Sequence, residues 1–299
     1  MNFKNKNFFS NLIPCVFMSI MSSTLPAFAD TVKVLPPSHY LTEPTASLAA
    51  YSGLGAAMPG DYSAIDVNPA IMSAFRNQYL IFADTAKDAH TGLLDFGVLD
   101  SASTEVAASV RFRQSIPGYE EQRDRRLSLA LSYEIPKTNL SLGVSFDYEQ
   151  LSLSSFSKYN DSNYFGGIGF LYEYITSSGR PFFVGVGVNH ISDSYIPVQY
   201  DIGLSTTFFD GFYAISLDTL LASEGGLQQV SSGLDIIANR FLDLKGSFGY
   251  RPKIKKNVWG AGIFFHAPVL QVFYTFASSD SNVTTKIRQT AGLALNFAM

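Results

Sequence analysis

From Gln78 onward, apolar and polar residues alternate in short runs divided by turn-forming clusters, as they do in β-strands with two unlike faces. Leu127, Leu129, Leu131 and Tyr133 share one face, and Ser128, Ala130, Ser132 and Glu134 share the other. The next run repeats the pattern: Leu140, Leu142, Val144, Phe146 and Tyr148 oppose Ser141, Gly143, Ser145, Asp147 and Glu149. Later runs behave the same way, with Leu270, Val272, Tyr274 and Phe276 set against Gln271, Phe273, Thr275 and Ala277. Segments of this kind predict fourteen strands, the first near 78–86 and the last near 286–298. Longer polar connections, at 115–125, 152–161, 192–197, 251–256 and 278–285, alternate with tight turns at 136–138, 210–211, 239–240 and 267–268. An even strand count with loops on one side and turns on the other predicts an all-β fold, a fourteen-stranded antiparallel transmembrane β-barrel.

Composition narrows the setting. The chain has 299 residues, 46% hydrophobic and 15% charged, against roughly 25% charged in a soluble domain. Beyond the N-terminus no apolar run approaches the roughly 20 residues of a spanning helix. Lipid offers no partner to a backbone amide, so a closed barrel is the remaining way to cross. The polar strand face carries Asp95, Arg111, Arg113, Glu134, Asp147, Glu149, Asp201, Asp235, Lys245 and Arg251. An Arg or Lys facing lipid at the midplane costs about 2–4 kcal/mol, so this face is predicted to line the lumen. Gly143, Gly167, Gly169, Gly185, Gly187 and Gly203 lie on the same face and are expected to leave the lumen room. Tyr133, Tyr172, Tyr250 and Trp259 stand near strand ends, where aromatic girdles form.

The net charge of −4, with Lys and Arg scattered, gives nucleic acid no footprint. A single cysteine, Cys15, excludes an internal disulfide and a cysteine metal cluster. No His, Asp and Glu grouping calls for a metal, and no Gly-rich loop for a nucleotide, so no cofactor is expected.

At the N-terminus Lys4 and Lys6 precede an apolar stretch from Phe8 to Met21, followed by Ala27-Phe28-Ala29. This predicts a signal peptide over 1–29, carrying Cys15 away with it. Residues 30–77 do not alternate and are rich in small residues, which predicts a separate hatch or plug ahead of the barrel at 78–299. The segment contains Gly53, Gly55 and Asp66, and then Asn68-Pro69-Ala70. Pro69 fixes its own φ, and the Asn68 side chain can bond nearby backbone, so the triplet reads as a turn or helix-start lock.

These residues resemble the N-terminal signature of the FadL-like superfamily of outer-membrane barrels, which includes PorV-like relatives. The resemblance implies a fourteen-stranded barrel in the outer membrane with an inward-folded hatch. It also implies a passive conduit or binding protein for small solutes, hydrophobic ones among them, with membrane lipid as its surroundings. The PorV-like branch implies instead a non-transporting scaffold for secretion or envelope partners. The chain departs from the transporters in several places, its strongly charged inward face among them. Its connections are polar and short, and Thr104 to Arg113, near the third strand where a transporter bends to open a lateral gap, holds neither Gly nor Pro.

A third reading is a lipid hydrolase, since His190-Ile191-Ser192 offers a base and a nucleophile on one strand face. Both continue the Val184, Val186, Val188 face, expected to meet lipid. The lipid side of the next strand, Val198, Tyr200 and Ile202, supplies no carboxylate, and Asp193 and Asp201 are expected to point away. With no third group to orient the histidine, no catalytic residue is assigned and the chain is read as a non-enzyme.

Overall fold

The computed structural model describes residues 55–58, 62–75, 78–87, 92–116, 122–153, 159–194, 196–209, 211–280 and 285–298. The predicted leader, with Cys15, and Gly53 lie outside the described residues.

Alternation gives the chain fourteen strands. They are β1 (Gln78–Lys87), β2 (Gly92–Asp100), β3 (Val106–Ile116), β4 (Gln122–Ile135), β5 (Leu140–Leu153), β6 (Tyr159–Ile175) and β7 (Pro181–Ile191). There follow β8 (Gln199–Phe208), β9 (Tyr213–Ala222), β10 (Gly226–Asn239), β11 (Leu242–Arg251), β12 (Lys256–His266), β13 (Leu270–Asp280) and β14 (Thr285–Ala298). Each pairs antiparallel with its neighbours in sequence, and β1 closes on β14 from Gln78↔Ala298 to Lys87↔Gln289. Closure leaves no edge, so every strand's backbone groups find partners within the ring.

Several strands run further than the hydrophobic pattern indicates. The connection expected at 115–125 shrinks to 117–121, and Arg125, placed in it, pairs with Gln114 and Gln150. Ladder hydrogen bonds come from the backbone, so strands continue where side chains turn polar. The two ends of the barrel therefore carry connections of similar length, and the expected contrast between long loops and tight turns is largely absent.

The outward face is apolar: Val98, Val110, Leu129, Leu131, Val144, Phe146 and Ile263 are all exposed there. A continuous exposed apolar band of this extent marks a surface meant for lipid. The inward face holds Asp95, Arg111, Arg113, Glu149, Asp201 and Asp218, all buried. An eight-stranded barrel is filled by its own side chains, but one of fourteen strands is wider and needs something more. Here residues 55–58 and 62–75 supply it. Two 3₁₀ turns, Tyr62–Asp66 and Pro69–Ala74, cross the lumen and bury Ala56, Ala57, Ile65, Val67, Ala70, Ile71 and Met72 against the inner wall. The lumen space expected from the inward glycines is thus occupied by this hatch.

β3 holds one unbroken register with both β2 and β4. Register slips fall instead between β6 and β7, at Gly166 and Ile168, and on both sides of β10, at Leu227 and Gln229 against β9 and at Ile237 and Asn239 against β11.

Candidate functional site

The hatch is seated by hydrogen bonds that begin at Asn68. Its extended backbone (φ −147°, ψ 100°) lets Oδ1 accept from Ala70 N at 3.0 Å, capping the second 3₁₀ turn with Pro69 at the first position. The fully buried amide then donates from Nδ2 to Ala56 O at 2.6 Å and to Phe170 O of β6 at 2.9 Å. One side chain so ties two parts of the hatch to each other and to the wall. Further wall side chains add to the seat, Ser205 among them, whose hydroxyl donates to Ala57 O. Asn189 Nδ2 donates to Val67 O at 2.8 Å, and Ser132 Oγ donates to Ala70 O at 3.1 Å. Asp218 Oδ1 accepts from Ala56 N at 3.0 Å.

The close approach explains four inward glycines. A Cβ at Gly143 would overlap the Pro69–Ala70 peptide, at Gly169 the Asn68 side chain, at Gly185 the Ala56 carbonyl and at Gly187 the Val67 carbonyl. Gly55 closes a turn in the hatch, its carbonyl accepting from Met58 N at 3.2 Å.

Arg111 and Arg113, two apart on β3, project to the same side and meet Asp66 of the hatch. Arg111 Nη1 lies 2.6 Å from Asp66 Oδ1, and Arg113 Nη2 pairs with Oδ2. Asp95 on β2 backs both: Arg111 Nε donates to its two oxygens at 2.7 and 2.9 Å, and Arg113 Nε approaches at 3.3 Å. Multidentate Arg–carboxylate contacts of this kind are the strong ones. Asp84, cross-strand from Asp95, adds a second buried carboxylate to the cluster.

Beside this cluster the hatch also meets rings, and the Arg111 guanidinium itself lies 5.4 Å over the centre of Phe82. Tyr62 stacks on Phe82 of β1 at 4.4 Å between centroids and lies 6.4 Å from Phe273 of β13, which stacks on Phe264 of β12 at 5.4 Å.

The remaining charges named from sequence divide. Glu149 pairs with Arg126 at 3.1 Å, Asp147 accepts from Ser128, and Asp201 accepts from Asn189 at 3.0 Å. Asp235 and Lys245 pair with each other at 3.5 Å, while Arg251 Nε donates to Gln229 at 2.5 Å; these three are bonded to wall residues of β10 and β11. Glu134 lines a cavity near the turn after β4. Sequence reasoning missed Arg126 and Asn189, although one further step of alternation from Ser128 and from Gly187 reaches both.

His190 is a correction. It does not face lipid: the slip in the β6–β7 pairing coincides with left-handed backbone at His190 (φ 60°) and Ser192 (φ 67°). An extra residue in one strand reverses which face follows it. The imidazole therefore turns inward, stacks on Phe165 at 5.1 Å and places Nδ1 2.7 Å from Asp193 Oδ2. It has the carboxylate thought to be missing, yet Ser192 is exposed, and no lipid-facing base and nucleophile pair forms.

Two cavities flank the second 3₁₀ turn along β3 and β4. One, of roughly 50 Å³, is lined by Asp66, Arg111, Arg126, Asp147, Asn189 and His190 among others. The second, of roughly 310 Å³ and nearer the end where β1 begins, is lined by Ser73, Ser101, Thr104, Glu105, Tyr133 and Glu134 with Ala107 and Pro136.

The barrel architecture is similar to that of solved structures. The toluene transporter TbuX of Ralstonia pickettii superposes with a TM-score of 0.63 at 12% identity, over 87% of this chain and 99% of that one. A Pseudomonas aeruginosa FadL homologue gives 0.54 at 9% identity, over 85% and 98%. The fold is that of the FadL-like outer-membrane barrels. The P. putida toluene transporter TodX shares this FadL-like fold with a TM-score of 0.57 at 12% identity, over 87% of this chain and 99% of its own. No family model and no curated protein matches the sequence. With its apolar girth and its FadL-like fold, the protein is an outer-membrane barrel.

Proposed function

We propose that this protein is a passive outer-membrane conduit for small solutes and that the hatch of residues 55–75 controls passage. The observation that carries the reading is the way the hatch is held. Asp66, Asn68 and Ala70 bind the wall through ion pairs and hydrogen bonds to side chains and to the Phe170 carbonyl, outside the ladder that closes the barrel. A segment fixed in this manner can leave its seat while the fourteen strands keep their pairing. The fold's likeness to structures titled as toluene transporters supports transport as the class of function.

The PorV-like scaffold reading has one observation in its favour: the hatch fills the lumen. A planar-bilayer recording separates the two. Deleting residues 30–75 raises conductance above that of the intact chain if the barrel is a conduit, whereas two equally silent forms leave the scaffold.

A further inference from the structure

We propose that the path through the barrel follows the inner wall of β3, β4 and β5, and that its cargo is a small polar solute bearing charge or hydrogen-bonding groups, not a hydrocarbon. This rests on the conduit reading above and names the solute class for the same site.

Both cavities lie on this wall, one after the other. Ala130 lines the first and Glu134 the second, four residues on, or about 13 Å of strand. Between them stands a septum in which Ser132 Oγ donates to Ala70 O at 3.1 Å. A shift of the second 3₁₀ turn away from Ser132 joins the two cavities without disturbing a strand. Toward β12 and β13, by contrast, Tyr62, Phe264 and Phe273 pack ring against ring.

The lining decides the cargo. In the first cavity only Ile65, Ala130 and Phe165 present large or methyl apolar surface, while Arg111 and Arg126 face Asp66 and Asp147. Arg126 is 7% exposed and holds Glu149 through Nη2, yet its Nε–H has no partner among the described residues. Charged and hydrogen-bonding side chains make up most of this lining, and such a lining calls for a polar occupant. Water or a hydrogen-bonding solute meets that need, and a hydrocarbon displacing the water would strip these groups of solvation without replacing it. Charges of both signs on one short path suit solutes such as small amino acids, which carry both.

The test uses the full chain in proteoliposomes, native and as the Asp66→Asn/Asn68→Ala double variant, with Cys15 replaced by Ser if the leader is retained. Swelling is followed in glycine, and uptake of labelled toluene is followed in parallel. Glycine entry above protein-free liposomes, cut about tenfold by Ala130→Trp, supports the proposal. Because Ala130→Trp could fail to fold, single cysteines give a second readout. A sulfonate thiol reagent should modify Ser128→Cys and Glu134→Cys about tenfold faster than Thr275→Cys on β13. Entry of toluene above protein-free liposomes without entry of glycine, or faster reaction at Thr275→Cys, overturns the polar path and leaves the conduit standing. Entry of neither solute above protein-free liposomes in either form overturns both.

Discussion

The hatch meets two unlike walls. Toward β1, β12 and β13 it presents Tyr62 to Phe82 and Phe273, a contact of rings with little dependence on exact position. Toward β3 to β9 it presents Asp66, Asn68, Val67 O and Ala70 O to arginines, amides and hydroxyls at fixed distances. Ring packing is non-directional and is lost in proportion to area, whereas a buried polar contact, once broken, strands both partners. One wall therefore serves as an anchor and the other as a latch. The two cavities lie on the latch side, where breaking a few bonds has the most to open.

The largest effect expected on stability is at the anchor. Phe82→Ala removes a fully buried ring and should destabilise the folded barrel by about 3–5 kcal/mol, read as a drop in the temperature at which the unboiled, compact gel band is lost. Conductance should rise less than this loss suggests, because the latch is intact. A Phe82→Ala barrel that leaks freely with unchanged stability would invert the assignment.

Asp66→Asn comes next. It removes one carboxylate from Arg111 and Arg113 but leaves Asp95 against both, so the cost should fall below the 3–5 kcal/mol of a severed buried pair, at about 2 kcal/mol. Its signature is an increased leak with the strands still heat-resistant. Asn68→Ala should cost about 1–2 kcal/mol through the lost helix cap and the bonds to Ala56 and Phe170. It too is expected to raise leak, whereas a cap with no latch role would lower stability alone. Smallest is Ser132→Ala, worth about 1 kcal/mol or less. It removes the hydroxyl at the septum, so flicker between closed and open levels in single-channel records should increase with no more than that small loss of stability.

The strands and the wet face were legible because period-2 alternation is strict wherever lipid lies on one side and polar groups on the other. Arg125 misled because a strand that rises past the apolar band loses its alternating signature while keeping its ladder. His190 misled for a different reason: the slip between Gly166 and Ile168 inserts a residue, and nothing in the local composition announces it. The inward glycines were read as empty space because pattern reports a residue's face and not its neighbour. Only the fold shows Gly143 against Ala70 and Gly187 against Val67. Asp66 and Asn68 were visible as a motif, but the partners that make them a latch, Arg111, Arg113 and the Phe170 carbonyl, lie tens of residues away in sequence.

The central claim is that polar contacts, and not the ring stack, hold the conduit closed. Its most direct test is the open probability in planar bilayers of the native barrel, of Asp66→Asn/Asn68→Ala and of Phe82→Ala, compared at equal folded fraction. The account predicts a clear rise for the double variant and little change for Phe82→Ala. A double variant as silent as the native barrel, or a Phe82→Ala barrel that opens more than it, would contradict the account.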